Sequence, residues 1–528
     1  MLPSTAAVMV AASAALADPP NKIVVVIEEN QGYSQVLGNP EAPYFNSLAA
    51  RGANFTRFYA ITHPSQPNYL EFFGGDNQGI TNNNQAANAP FSTPNLGSAV
   101  FHAGHTFVGY SENLPAMGSL IWAYEYYVRR HNPWVNWQSI EPVPPAGSNQ
   151  LPWTSNQPFE AFPTDYSRLP KLSIIIPHIF NDMHDGTIAE GDAWLQATLD
   201  GYVQWAFANN SLLVITFDED SDHDRNRIPT LLVGPMITPG DVNSTWTLHN
   251  LTRTLAELCD AAPPGQAARV RRIVGMFADD PAVSTSTFRQ GEMGYQGASD
   301  TFIEAASPQA SHAGAASLTV LGSPTSQALI RFDDVFGAEP GRVPPHAIIH
   351  SAKLSILTPF GKANQSTGRV SLHRMLVPWD DSATWNSLNN GISLDDAEAA
   401  MDAEFTLSPN IDDAVAVFDV TTTVESWLNA ADPQAAAWGW ALVTASTDAW
   451  YPASSEAPAT ADRPMLEITF SLPNCSPDFN GDGFLDFFDY DAFVIAYEIG
   501  DIEADFNRDG FLDFFDYDAF VIAYETGC

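Results

Sequence analysis

The sequence predicts a multidomain protein of three successive folds: an α/β domain, an all-β sandwich of jelly-roll type, and a small α-helical pair. Three observations carry this. Up to about residue 264, short β-branched runs alternate with helical stripes, the pattern of a mostly parallel sheet covered by helices. From 285 to 472 the pattern changes to short alternating strands separated by turn residues. From Asp478 to Glu498 runs an acidic, aromatic stretch that recurs almost unchanged 27 residues later, from Asp505. The chain has 528 residues, more than one domain usually holds, and a formal net charge of −40. That charge disfavours polyanion binding over most of the surface, and no nucleic-acid partner is expected. With 16% charged and 45% hydrophobic residues, the chain reads as folded domains rather than a disordered acidic one.

The first residues, 1–17, are Ala- and Val-rich and end at Ala15-Leu16-Ala17, a small-x-small cleavage pattern. They predict an export signal and a secreted, periplasmic or cell-surface protein. No other apolar stretch is long enough to span a bilayer. Cys475 and Cys528 bracket the last unit, which in an exported protein suggests a disulfide stapling it. Cys259, in a predicted helix, reads as a buried core thiol.

The first domain, 18–264, opens with Lys22-Ile-Val-Val-Val-Ile27, a short apolar run that reads as a buried parallel strand. His105–Tyr110, Leu172–Ile176, Leu212–Phe217 and Thr230–Gly234 are the further strand candidates, and Asp192–Asn209 carries a helical stripe. Polar clusters follow four of these strands: Glu29-Asn30, Ser111-Glu112, Asn181–Gly186 and Asp218-Glu219-Asp220. Ligands in open α/β sheets sit outside the carboxyl ends of the strands, so the four clusters are expected to converge on one edge.

The residue types indicate the chemistry. Glu29, Asn30, Asp218 and Glu219 offer hard oxygen ligands for one divalent cation. Ser65, in a Pro-bounded turn, is the candidate nucleophile, its hydroxyl acidified by the metal. His184 and His249 are candidates to hold phosphoryl oxygens or to protonate a leaving group. His131, Asp182 and Asp185 are candidates for phosphate contact. A structural role for His131 beside Pro133-Trp134, and histidine-orienting roles for the two aspartates, stay open. His178 and His223 read as surface residues.

Nine short motifs occur in order between residues 22 and 262. They include Glu28-Glu-Asn30, His63-Pro-Ser-Gln-Pro-Asn-Tyr-Leu70, Asn181-Asp-Met-His-Asp-Gly186 and Phe217-Asp-Glu-Asp220. This stretch resembles the bacterial phosphoesterase family of secreted acid phosphatases and phospholipases C, within the alkaline-phosphatase-like superfamily. The resemblance implies an alkaline-phosphatase-like α/β fold, a phosphate ester substrate and a metal on Glu29, Asn30, Asp218 and Glu219. Related phosphodiesterases carry a hydroxyl residue, a spacer, then Pro-Asn, which falls on Ser65–Asn68 and favours Ser65 over Thr62. The resemblance also matches His249 to a family histidine. Where related proteins have His before Ile-Pro-Thr, this chain has Arg227, expected to face solvent. The expected activity is phosphomonoester hydrolysis. A phosphodiesterase such as a phospholipase C, and a carbohydrate- or partner-binding scaffold with an inactive hydrolase domain, are the alternatives.

A linker, able to dock on the first domain, is expected over 265–284. The domain 285–472 resembles the β-sandwich modules named for an Asp-Asn-Arg-Leu-Arg-Glu motif, through pieces such as Leu329–Asp333, Ala383–Asn386 and Phe418–Thr421. The resemblance implies a polysaccharide partner. Trp379, Trp385, Trp438, Trp440 and Trp450 are the aromatic residues that would stack on sugars or else fill the core. In 475–528, each repeat reads D-x-N-x-D-G-x-x-D-x-x-D, the oxygen spacing of an EF-hand calcium loop. The ligand candidates are Asp478, Asn480, Asp482, Phe484 (backbone), Asp486 and Asp489, then Asp505, Asn507, Asp509, Phe511 (backbone), Asp513 and Asp516, for about two Ca²⁺. The repeats resemble dockerin-type modules, which implies a cohesin-like partner. With 14 acidic residues against one basic residue from Cys475 onward, folding of this unit is expected to depend on calcium.

Overall fold

The computed structural model describes residues 19–528 except 142, 279, 281, 338, 346, 431, 473–476, 481–484, 507–510 and 527–528. The export segment, Cys475, Cys528 and the calcium candidates Asp482, Phe484, Asn507 and Asp509 lie outside the described residues.

Ile23–Glu28 (β1) is β-branched along its length and buried at every position, so it can only run through the middle of a covered sheet. It lies between Leu172–Ile176 (β5) and Leu212–Phe217 (β6), parallel to both. With Ala53–Phe55 (β2), Phe107–Ser111 (β3), Asn156–Pro158 (β4), Leu231–Val233 (β7) and Gly240–Val242 (β8), these form an eight-stranded sheet of order β8-β2-β7-β6-β1-β5-β3-β4. Strands β4, β3, β5, β1 and β6 run parallel, and β7 is antiparallel between β6 and β2. The result is a mixed α/β sheet.

Helices Pro43–Ala49 (α1), Ser65–Gly74 (α2), Leu96–His102 (α3), Ile188–Ala208 (α4) and Leu248–Glu257 (α5) cover it. Asp192 joins two of them. Its buried carboxylate accepts from the Tyr44 and Phe45 N–H groups at 3.0 and 2.7 Å, satisfying the open start of α1. Helix α4 begins four residues before the expected Asp192, because Thr187 and Glu190 form a reciprocal cap. The stretch expected as a linker packs on both neighbours. Ile273, Val274, Met276 and Phe277 complete the first-domain core, while Val270 packs into the sandwich core.

The sandwich faces two sheets. Ser284–Arg289 (β9), Ile348–Thr358 (β12), Ala414–Asp419 (β15) and Met465–Ser471 (β17) form one, of order β9-β17-β12-β15. Ala298–Glu304 (β10), Thr325–Phe332 (β11), Val370–Arg374 (β13), Phe405–Leu407 (β14) and Trp440–Thr444 (β16) form the other, of order β10-β11-β16-β13-β14 with Leu321–Gly322 beside β11. Their inner faces interdigitate through Leu354, Phe418 and Leu466 against Ile330, Leu372 and Leu442. Trp440 and Trp450 are fully buried in this core, and Trp379 is buried with its Nε1 donating to the Trp438 carbonyl at 2.7 Å. These three fill the protein interior. The expected strand Ala316–Leu321 is reduced to bridges at Ser317 and Val320 ahead of Leu321.

One face of the four-stranded sheet is polar where it meets the first domain. Asp419, Lys353 and Glu467 stand side by side across three strands. Glu467 accepts from Arg57 and from the Thr245 N–H, both at 2.5 Å, and Lys353 pairs with Asp419 at 2.5 Å. Between the domains lies a cleft with about 800 Å³ of empty space, open solvent included, walled by Thr62, Glu71 and His249 on one side and Arg369, Phe405 and Asn410 on the other. Helices Phe487–Ile499 (α6) and Phe514–Thr526 (α7) form a separate small core, in which the Phe493 and Phe520 rings stack at 3.9 Å. Among the described residues no helix is long and apolar enough to cross a membrane.

Candidate active site

The carboxyl ends of β1, β5 and β6 and the start of α2 meet at one point. Glu29 leaves β1 and Asp218-Glu219-Asp220 leaves β6, tied together by the Asp218 N–H donating to the Glu28 carbonyl at 3.1 Å. Asn30 adopts a left-handed backbone (φ 57°), which asparagine tolerates, and its N–H reaches Asp218 Oδ1 at 3.3 Å. Ser65 is the first residue of α2, where unpaired backbone N–H groups concentrate positive potential. Its Oγ lies 3.2 Å from Glu29 Oε2 and 3.0 Å from Glu219 Oε1, and it is 1% exposed.

The loop before Ser65 is held by its own sequence. Asn68 Oδ1 accepts from the Ile61 and Thr62 N–H groups at 3.1 and 2.9 Å, and Asn68 Nδ2 donates to the Thr62 carbonyl. The same carbonyl accepts from Asn226 Nδ2 at 3.1 Å, joining the nucleophile loop to the loop after β6. Asp220 shapes that second loop by accepting from the Asp222, Asp224 and Asn226 N–H groups at 3.0, 2.7 and 3.0 Å.

Two imidazoles sit among the carboxylates. His131 is fully buried, with Nε2 at 2.9 Å from Glu29 Oε1 and Nδ1 at 3.2 Å from Asp182 Oδ2, and its ring stacks on Tyr69 at 5.5 Å. Burial alone would lower its pKa, but the two carboxylates outweigh burial and push it up to about 9. His63 places Nδ1 at 2.6 Å from Glu219 Oε2 and Nε2 at 3.3 Å from Asp220 Oδ1. Again burial is outweighed, and its pKa is pushed up to about 10. Glu29 stays below the usual carboxylate range, because His131 and His184 overcome its burial. Asp218 has no imidazole partner among the described residues. Burial first, then the Glu29 and Glu219 charges, push its pKa well up.

Glu29, Asp218 and Glu219 each bring one carboxylate oxygen within 4.8 Å of the others. Asp218 Oδ2 is buried with no hydrogen-bond partner among the described residues. Crowded hard oxygens with unsatisfied lone pairs fit a divalent cation, whose charge would offset their repulsion.

A profile of the phosphoesterase family matches residues 35–258. The phosphatidylinositol-3-phosphatase of Mycobacterium tuberculosis (strain ATCC 25618 / H37Rv) is 43% identical over 259 residues, covering 49% of this chain and 83% of that protein. The chain belongs to the phosphoesterase family. It is a phosphoric ester hydrolase. An acid phosphatase of Aspergillus fumigatus is 30% identical over 236 residues, covering 43% of this chain, which spans about half (50%) of that enzyme's length. A solved structure of a protein in the alkaline phosphatase superfamily from Vibrio parahaemolyticus aligns over 46% of this chain and 67% of its own at 12% identity, with a TM-score of 0.33.

In this phosphoesterase the candidate residues fall into two groups. Ser65, Glu29, Asn30, Asp218, Glu219, His131 and Asp182 share the centre. His184 borders it, half-buried, with its ring 5.7 Å from His131 and Nδ1 held by Asp185 at 2.7 Å. His184 can also close a second group of ligand atoms with Glu29 and His131. Asp182 caps the His184 N–H at 2.9 Å and faces His131, so both aspartates orient histidines. His249 stands apart from the Ser65 group, with Nε2 at 2.9 Å from Glu71 on the cleft wall.

Glu112 supports rather than joins the centre. Its carboxylate accepts from Asn181 Nδ2 at 2.9 Å, the His178 N–H at 3.0 Å and Trp194 Nε1 at 3.2 Å, bracing the loop that carries Asp182. Arg227 does not simply face solvent. It pairs with Asp224 at 2.8 Å and lies over the Tyr33 ring at 4.7 Å. His63 and Asp220 are contributors to the centre that the sequence reading passed over. The signal available was their place inside two of the quoted motifs, His63-Pro64-Ser65 and Asp218-Glu219-Asp220.

Proposed function

We propose that this phosphoesterase hydrolyses phosphate monoesters with Ser65 as nucleophile. The observation that carries the reading is the Ser65 hydroxyl lying between Glu29 and Glu219, beside Asp218, at the start of α2. A divalent cation held by Glu29, Asn30, Asp218 and Glu219 would acidify the serine hydroxyl and polarise a phosphoryl oxygen. Ser65 Oγ bonds to phosphorus as the ester oxygen departs, and the serine proton passes to Glu219 Oε1, 3.0 Å away. His184, at the half-exposed border, meets the phosphoryl oxygens or supplies the leaving oxygen's proton. His131 keeps Glu29 ionised and in place. Water then attacks the phosphoserine, regenerating Ser65 and releasing phosphate. The relative named phosphatidylinositol-3-phosphatase makes a phosphorylated inositol head group the first natural substrate class to try.

The rest of the reading rests on sequence pattern. The chain is exported, its β-sandwich binds polysaccharide, and its repeats take up about two Ca²⁺ and dock on a cohesin-like partner. In the repeats, Asp489 accepts from the Asn480 and Asp486 N–H groups at 3.1 and 2.9 Å and Asp516 from Asp513 at 2.9 Å, so both position-12 carboxylates turn toward their loops.

The deciding experiment is turnover of 4-nitrophenyl phosphate by wild type and Ser65→Ala, with mass spectrometry of the quenched enzyme. We expect a loss on the order of 10³-fold or more in the variant. A phosphoryl adduct should appear on the wild-type peptide containing Ser65. Unchanged turnover would move the nucleophile to Thr62. Faster turnover of bis(4-nitrophenyl) phosphate than of the monoester would make the enzyme a diesterase.

A further inference from the structure

The β-sandwich reaches the nucleophile loop. Thr62 Oγ1 donates to Asn410 Oδ1 at 2.6 Å, and Asn410 Nδ2 donates to the His63 carbonyl at 3.3 Å. Both halves of one side-chain amide are thus used on two consecutive residues, the second and third before Ser65. Asn410 lies outside residues 35–258, the part of the chain that the family profile matches.

The segment that presents Asn410 is fixed within the sandwich. The Pro409 carbonyl accepts from the Ser366 N–H at 2.8 Å, the Asp412 N–H donates to Gln365 at 3.1 Å, and Asp412 Oδ2 accepts from the Gly361 N–H at 2.7 Å. The same face also grips the loop after β6. Arg225 pairs with Asp462 at 2.6 Å, and its carbonyl accepts from the Val415 N–H at 3.4 Å. The Thr62–His63 segment is therefore held from three sides: by Asn68 of its own helix, by Asn226 of the carboxylate loop and by Asn410 of the second domain.

What this fixes is the imidazole between two site carboxylates. His63 sets Glu219 from one side at 2.6 Å, and Glu219 accepts from Ser65 on the other at 3.0 Å. A shift of the His63 backbone displaces the carboxylate that receives the serine proton. Rates are sensitive to a misplacement of about 1 Å, even when its cause is remote from the reacting atoms.

We propose that Asn410 is a positioning residue of the phosphoesterase site, through which the β-sandwich sets the His63–Glu219–Ser65 geometry. The sandwich is then part of the catalytic unit rather than a tethered module. This rests on the reading of Ser65 as nucleophile. If that reading fails, Ser65→Ala keeps its activity, an outcome distinct from any below.

The test is steady-state kinetics of the full chain on 4-nitrophenyl phosphate for Asn410→Ala, Asn410→Gln, Thr62→Val and the Asn410→Ala/Thr62→Val double variant. Arg271→Ala is the control. It removes the interdomain Arg271–Glu425 pair (2.7 Å), which touches neither site loop. Losing the polar contact should lower kcat about ten-fold with KM within about two-fold, while Asn410→Gln recovers part of the loss. The double variant should be no slower than the worse single one, since both remove the same contact. Arg271→Ala should keep its kcat. Wild-type kcat in folded Asn410→Ala, additive losses in the double variant, or an equal fall in Arg271→Ala would each overturn the proposal. The last would attribute the loss to general loosening of the interface.

Discussion

Glu467 is the residue whose removal most directly tests how the two large domains are joined. It lies on β17 of the sandwich with its side chain 2% exposed, yet both of its hydrogen-bond donors belong to the first domain: Arg57 and the Thr245 N–H, each at 2.5 Å. Glu467→Ala leaves a buried N–H unpaired, at about 1–3 kcal/mol. It also leaves Arg57 without its anion. Because Arg57 is 26% exposed, water recovers part of that loss and the ion pair itself is worth about 1 kcal/mol. The sum, about 2–4 kcal/mol, sits near the usual cost of breaking a buried pair from one side. Glu467→Gln keeps a carbonyl oxygen for Thr245 and should cost about half as much. Urea unfolding followed by tryptophan fluorescence, with 4-nitrophenyl phosphate turnover measured alongside, reads both effects. An Ala loss under about 1 kcal/mol, or equal losses in Ala and Gln, would refute the assignment of Glu467 as the buried acceptor that docks the domains.

Lys353→Met should destabilise by about 3–5 kcal/mol, because it strands Asp419 as a buried, unpaired anion; adding Asp419→Leu should restore much of the melting temperature, and no recovery would argue against the pair as the cause. Glu404 accepts from the Thr423 N–H at 3.0 Å and Trp440 Nε1 at 2.8 Å, and burial, only partly offset by these bonds, pushes its pKa up to about 7. A carboxyl raised in the folded state binds its proton more tightly there than when unfolded. Its stabilising contribution is therefore present below about pH 4.5 and lost as pH rises to about 7, at most on the order of 3 kcal/mol. The stability difference between wild type and Glu404→Gln should shift in favour of the variant across that window, and a difference independent of pH would exclude the effect. Stripping divalent cations with a chelator should lower turnover by about 10³-fold, reversibly on adding metal back, and full turnover after exhaustive chelation would rule out the Glu29–Asp218–Glu219 group as a metal site.

The parts of the fold that were legible in the sequence are those whose side chains all answer to one environment. Leu172–Ile176 and Leu212–Phe217 are buried on both faces, and the apolar runs end where the strands end. Ser284–Arg289 and Phe405–Leu407 carry no strand signal in sequence because they are half-exposed or three residues long, and their pairing comes from partners far along the chain. The site was legible to the same degree. Polar clusters at strand ends located Glu29, Asp182, Asp218 and Glu219, since a parallel sheet leaves them one direction to project. Glu112 looks the same in sequence but turns to Asn181 and Trp194. His63 gives no periodic signal, and its role follows from the Glu219 and Asp220 carboxylates that the β6 loop brings to it. The Asn410 contact bridges 348 residues of sequence, and no local pattern encodes it.

The paired acids Glu28 and Glu29 show how little the residue type decides at this site. Both are 0% exposed and adjacent in the chain, at the end of a strand where neighbours point to opposite faces. Glu29 meets His131 and Ser65 and is held ionised. Glu28 has neither oxygen hydrogen-bonded. Burial first, then the negative charges of Asp182, Glu112, Glu29 and Asp192, drive its pKa well up, so burial favours its neutral form. Asp218 stands between these cases: it faces the site like Glu29, lacks an imidazole like Glu28, and keeps Oδ2 open toward the other two carboxylates. His131 and His63 balance the charge of Glu29 and Glu219, and no imidazole among the described residues does so for Asp218. The open Oδ2 beside the Glu29 and Glu219 oxygens suits an added cation, and in a protein of net charge −40 the same cation would let an anionic phosphate ester approach the serine.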